Sequence, residues 1–362
     1  MYLHPLRKFP GSKLWALSPV PVALAQLRGT FHEFTHAAHQ RYGTTVRISP
    51  NELSFISAAA WGDIYSRREG KSPLPRDTTF FNDMLVDSKT LTMADDHNHA
   101  RLRKVLNLAF APRALAKQEP ILRKNVDLFL SQLERLSKGA SPLDLRLWFN
   151  YVTFDTLGDL AFGESFDCLA KATYHEWVGF VLDHLYTSTL LQVVHRFRPL
   201  NRLLAAVLPS SLVEKRRKHE ELALDKIRKR IPRGNSRPDF VQPLIKACEE
   251  GTISPDELEQ QASILILAGS ETTAVALTSA THLLLQHPRV LAKLKDELYT
   301  HLKDDSEIDF ASINKLPYMQ AVVQESLRLF PPITNGFPRE VMAEHGAVID
   351  NVLVPSGVSL ID

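Results

Sequence analysis

Cysteine is nearly absent. Cys168 and Cys248 are the only two in 362 residues, and they lie far apart in no paired spacing. That excludes a disulfide scaffold and points to a reducing compartment. Charge of one sign is also lacking, because 43 basic against 41 acidic side chains leave a net charge of +2. Composition therefore argues neither for nor against a nucleic-acid partner. The most basic stretch, Lys215 to Arg237, interleaves no aromatics as single-strand binding would favour. It reads as a solvated helix face and linker, or else as a membrane- or partner-facing patch, and no nucleic-acid partner is expected. The N-terminus, "MYLHPLRKFPGSKLWALSPVP", has no apolar run near the ~18 residues a membrane span needs, so no anchor or targeting segment is visible. There is no internal repeat.

What the chain does have is apolar mass: 44% hydrophobic against 23% charged residues supports a large core. Strand character is confined to "TTVRISPNELSFIS" (Thr44 to Ser57) and "GAVIDNVLVPSGVSLI" (Gly346 to Ile361), each holding a turn signal. Nearly everything between them has helical periodicity, in Arg101–Phe110, Ala114–Leu136, Leu143–Phe162, Trp177–Val194, Leu212–Ile231, Pro255–Leu285, Pro288–Leu302 and Pro317–Phe330. The expectation is a mainly α single domain over residues 1–362 with a small β region.

"SPDELEQQ" starts the longest helix with Ser254 as N-cap, Pro255 next and Glu257 three residues after the cap, a capping box. At ~1.5 Å per residue that helix is roughly 50 Å long, so it is expected to run through the core. Its middle, "ILILAGSETTAV", carries Gly269, Glu271, Thr272 and Thr273. A buried unpaired carboxylate is expensive, and glycine costs ~1 kcal/mol against alanine in a helix. Two readings stand. Gly269 permits close helix packing while the hydroxyls bond back one turn; or it opens space for a small ligand, with hydroxyl and carboxylate relaying protons.

"LPYMQAVVQESLRLFPP" sets Glu325 and Arg328 at i and i+3 on a helix ended by a double proline. Such a pair alone is usually a surface salt bridge. In order, however, A-G-x-E-T-T, then "HPRVLAKLKDEL", then this helix resembles the cytochrome P450 family of haem-thiolate monooxygenases, specifically filamentous-fungal members of secondary metabolism. "HPLRKFPGSKLWA" is similar to the family's proline-rich entry, with Ser12 where proline is common. "ISPNELSFISAAAWGDIY", "DHNHARLRKVLNLAFAPRAL" and "FDTLGDLAFGESFDCL" are similar to its first sheet, a haem-edge helix and a mid-domain helix.

The resemblance implies a haem cofactor, with His99 and Arg103 matching a pair aimed at a haem propionate and Arg339 matching a third such cation. Charge-assisted hydrogen bonds suit that task. Gly269 then borders the cofactor, Glu271 and Thr272 match the acid–alcohol pair that manages oxygen and proton delivery, and Glu325 and Arg328 match an architectural pair behind the haem. The family's axial cysteine lies on an F-x-x-G-x-R-x-C-x-G loop downstream, absent here; Cys168 and Cys248 lie upstream without glycine-rich surroundings, so no metal ligand is assigned. The implied activity is oxidation of a lipophilic small molecule with electrons from NADPH–cytochrome P450 reductase. The implied pocket lining is residues 71–96, 177–208 and 264–268, apolar near the notch. An incomplete chain makes a catalytically inactive remnant the alternative. Intact members sit on the endoplasmic reticulum membrane, and a chain without the anchor is expected to be cytosolic or peripheral. An unrelated helical lipid-binding protein explains the apolar helices but not the motif order.

Overall fold

In "TVRIS" and "ELSF" a Pro-Asn turn separates two β-rich runs, and they pair antiparallel as β1 (Thr45–Ser49) and β2 (Glu52–Phe55). This computed structural model describes residues 4–66, 73–77, 80, 89–139, 142–197, 199–201, 203, 209–234, 237–334 and 336–361. Ahead of the hairpin come helices α1 (Lys13–Leu17), α2 (Val20–Leu27) and α3 (Phe31–Tyr42), and after it α4 (Ala58–Tyr65). The first three were not expected from periodicity. Tertiary packing holds them: Val22, Phe31 and Ala38 bury against Val46 and Ile48 of β1.

The helical body follows with α5 (Asp96–Ala109), α6 (Pro112–Ser137), α7 (Leu145–Phe162), α8 (Cys168–Lys171), α9 (Glu176–His195), α10 (Ser210–Arg230) and α11 (Gln242–Glu249). The long helix is divided into α12 (Pro255–Gly269) and α13 (Glu271–Gln286), and then come α14 (Pro288–His301), α15 (Phe310–Ile313) and α16 (Pro317–Leu329). The chain returns to β structure in β3 (Arg339–Glu340), the hairpin β4 (Ala347–Ile349) and β5 (Val352–Val354), and β6 (Ser359–Ile361). β6 lies between β2, to which it is parallel, and β3, to which it is antiparallel. The two expected β segments thus meet in one sheet of order β1-β2-β6-β3. Asp350 and Asn351, both at positive φ, form the β4–β5 turn, a conformation asparagine and aspartate tolerate better than most residues.

The expected burial of the long helix needs correction. Only 22% of its most apolar stretch is buried. Over the whole length the buried residues are a stripe at fourfold spacing, Leu258, Ala262, Ile266, Ser270 and Ala274, with Gln261 beside it. The helix buried on nearly every side is α7, which packs against α6, α8, α10, α12 and α13. The two buried carboxylates of α7 are occupied, whereas Asn150 Oδ1 and Thr156 Oγ1 are buried without a hydrogen-bond partner among the described residues. Asp155 accepts from the backbone of Cys168 and Leu169 at 3.0 and 2.8 Å, capping α8, and Asp159 accepts from Asn125 and Arg237, each at 3.1 Å.

Candidate functional site

The capping box forms as read. Ser254 Oγ accepts from Glu257 N at 3.1 Å, and Ser254 N donates to Glu257 Oε2 at 2.8 Å. Glu257 also takes both terminal nitrogens of Arg101, joining α5 to the start of α12. Fifteen residues on, the helix breaks at Ser270, where ψ is −69°. Three hydroxyls there bond back one turn: Ser270 to Ile266 O at 2.9 Å, Thr272 to Ala268 O at 2.6 Å, and Thr273 to Gly269 O at 2.9 Å. Hydroxyls competing for carbonyls in this way loosen and bend a helix.

Gly269 faces α7. A Cβ there would meet Leu157 Cδ1 and Cδ2 at 3.2 Å, so the glycine side of the notch is filled by a leucine and serves close packing rather than open space. The Cβ direction of Gly269 thus points to α7, and its place beside the cofactor stays a proposal. The exposed neighbour Ala268, whose carbonyl holds Thr272, lies on another side of the helix. Glu271 is half-buried; burial pushes its carboxyl above the ordinary range, opposed by the Arg146 guanidinium. Among the described residues no hydrogen bond joins Glu271 to Thr272, and each occupies a different side of α13.

His99 and Arg103 sit one turn apart on α5, and the structure brings Arg339 of β3 to the same place. It adds a fourth cation, Arg76, bridged backbone to backbone with Arg339. Burial first, then Arg76, Arg103 and Arg339, hold the His99 imidazole below its usual value, with Asp96 opposing. Arg76 and Arg339 are themselves lowered by burial; Arg76 is further lowered by its neighbour Arg339. Arg339 Nη1 donates to Leu74 O at 3.3 Å, its guanidinium lies 5.7 Å over the Tyr65 ring, and its Nε is buried with no hydrogen-bond partner. Arg103 is exposed and donates to Asn107 Oδ1 at 3.0 Å. Three arginines and a histidine against Asp96 leave excess positive charge and an orphaned donor, which fits a dianionic group such as the propionate edge of haem. Arg76 carries no motif spacing; only its strand partner Arg339 reveals it.

Glu325 and Arg328 form a bidentate pair, 2.7 Å in both bonds, but both side chains are largely in solvent at 54% and 67% exposure. Cys168 is buried, and burial pushes its thiol up to about 12, the reverse of what a metal thiolate needs. Cys248 is half-buried in α11, packed against the main core. Of the stretches expected to line the substrate pocket, residues 71–72, 78–79, 81–88, 198, 202 and 204–208 lie outside the described residues.

A family model described as Cytochrome P450 matches residues 12–361. The chain belongs to the cytochrome P450 family. Relatives include cytochrome P450 monooxygenase astD of Aspergillus oryzae (strain ATCC 42149 / RIB 40), 56% identical over 98% of this chain and 69% of its own length. Trichothecene C-15 hydroxylase of Fusarium sporotrichioides is 37% identical over 98% of this chain and 72% of its own length. Averantin hydroxylase of Dothistroma septosporum is 35% identical over 99% and 68%. As a cytochrome P450 this chain is of the oxidoreductase class, a haem-dependent monooxygenase, and the relatives favour that reading over an inactive remnant.

Proposed function

We propose that this cytochrome P450 hydroxylates a lipophilic small molecule in fungal secondary-metabolite biosynthesis, drawing electrons from an NADPH-dependent reductase at the endoplasmic reticulum membrane. Support for the substrate class comes from relatives named for averantin and trichothecene hydroxylation and from the apolar run Ile264–Ala268 beside the notch. The observation that carries the cofactor reading is the cation cluster of Arg76, His99, Arg103 and Arg339 with the orphaned Arg339 Nε.

Those four side chains would hold the haem edge, and haem, when bound, supplies oxygen activation. The protein's own part is proton handling and exclusion of water. Thr272 Oγ1 gives its proton to Ala268 O, which leaves its lone pairs facing outward as acceptors. Glu271, with its carboxyl raised by burial, holds a proton nearer neutral pH than an exposed glutamate and is placed to pass it on. Neither Cys168 nor Cys248 has the surroundings of an axial thiolate. In the haem-loaded protein with reductase, Thr272→Ala is expected to lower product formed per oxygen consumed while oxygen consumption continues. Unchanged coupling would remove Thr272 from the mechanism.

A further inference from the structure

One loop supplies a dense set of contacts to Arg76 of the cation cluster. Its Nη1 points at three carbonyls of a single loop, Leu91 O at 3.0 Å, Thr92 O at 2.8 Å and Ala94 O at 3.2 Å. That loop is fixed in turn by the long helix. Gln261, fully buried on α12, accepts from Leu91 N at 2.7 Å and donates to Lys89 O at 2.8 Å, so its amide takes the place of a paired strand. Gln260 and Asp256 add contacts to Lys89 N and Nζ at 2.5 and 2.8 Å, but these lie in solvent, where such bonds are easily exchanged for water. A buried amide has no such exchange open to it, so among the polar contacts of the described residues Gln261 is the buried hold on the loop, beside the packing of Leu91 and Ala94 against the core.

We propose that Gln261 is a positioning residue for the anion-binding cluster: it locks the 89–94 loop to α12, and the carbonyls of that loop aim Arg76 at the dianionic edge of the cofactor. The proposal rests on reading the cluster as the haem edge. It makes α12 a two-ended element, with a clamp for the cofactor's anionic rim near its start and the hydroxyl-bent notch at its end. The link is a side-chain amide, and both of its polar ends are used.

The test is a double-mutant cycle on the rate at which the haem-loaded chain surrenders haem to an apo-globin acceptor, with far-UV circular dichroism confirming the fold. Arg76→Ala and Gln261→Leu are each expected to speed release about tenfold, and the double variant no more than either alone, because both cut the same connection. A double variant that releases haem about a hundredfold faster, the product of the two, would overturn the proposal, since Gln261 would then act independently of Arg76. Gln261→Leu at the wild-type rate would overturn it as well, while a fast Arg76→Ala beside it would leave the haem-edge reading standing. Arg76→Ala at the wild-type rate would overturn both. Should Gln261→Leu fold poorly, Gln261→Glu keeps the question open to measurement. Protonated, the glutamic acid donates to Lys89 O as the amide does, so release is expected to be near wild type at low pH and faster as the carboxyl ionises. A pH profile in that variant that runs parallel to the wild-type profile would overturn the proposal.

Discussion

His99 gives the site its pH signature. Burial and the arginines Arg76, Arg103 and Arg339 hold its imidazole below the ordinary value of about 6.5. The unfolded chain then takes up this proton more readily than the folded one, so the group's effect on stability is absent above that value. It becomes a growing loss as pH falls through about 6.5 toward the folded value. A bound dianion reverses the local field, so haem binding is expected to take up protons and to tighten as pH falls. Calorimetric titrations in two buffers of different ionisation heat read that uptake, and His99→Gln should abolish it. Gly269 is the other residue where geometry decides. Its helix penalty of about 1 kcal/mol against alanine is set against the Leu157 methyls at 3.2 Å, so Gly269→Ala should be close to neutral. Gly269→Leu should destabilise by about 1–3 kcal/mol through overpacking, read by urea unfolding. Both readings of the notch were open in the sequence. The contact of Gly269 with Leu157 was not legible because its partner lies far away in the chain, where no local pattern points.

Among the elements, helices with strong periodicity were legible to within a few residues, as in Pro317–Leu329 and Ser210–Arg230, and so was the capping box. The short N-terminal helices were not, because contact with β1 rather than their own pattern stabilises them. The long helix was legible in length and wrong in burial: an apolar composition shows what a helix can bury, not which neighbours reach it. Connections between elements were illegible too. Arg230 closes α10 as the bulkiest fully buried side chain among the described residues, donating through Nε to Asp239 at 2.7 Å and through Nη1 to Gly234 O at 2.9 Å. This pins the segment leading to α11. Removing one member of a fully buried pair leaves the other uncompensated, so Asp239→Ala is expected to destabilise by about 3–5 kcal/mol in denaturant unfolding. A loss under 1 kcal/mol would mean that the segment is held by its apolar neighbours instead.

Across the whole molecule, identity was legible because motif order spans the chain, from "DHNHARLRKVL" through "AGSETT" to "ESLRLFPP". The cation cluster was legible in three of its four members. His99 and Arg103 share a helix face, whereas Arg76 comes from a segment with no periodicity and enters only through the Arg76–Arg339 bridge. Glu325 and Arg328 were legible as a pair, and the structure finds that pair in solvent, where it adds little to the fold. What organises the molecule is the gathering of unbalanced positive charge at one end of α5, beside a long helix bent by its own hydroxyls. The measurement that bears on it is a spectrophotometric titration of haem into the wild-type chain and into Arg339→Ala, with Glu134→Ala as a control in the exposed Lys138–Glu134 pair at the end of α6. Loss of a charge-assisted contact is expected to weaken haem binding by about 10- to 100-fold in Arg339→Ala and to leave Glu134→Ala unchanged. Equal haem affinity in all three proteins would contradict the assignment of this cluster to the haem edge.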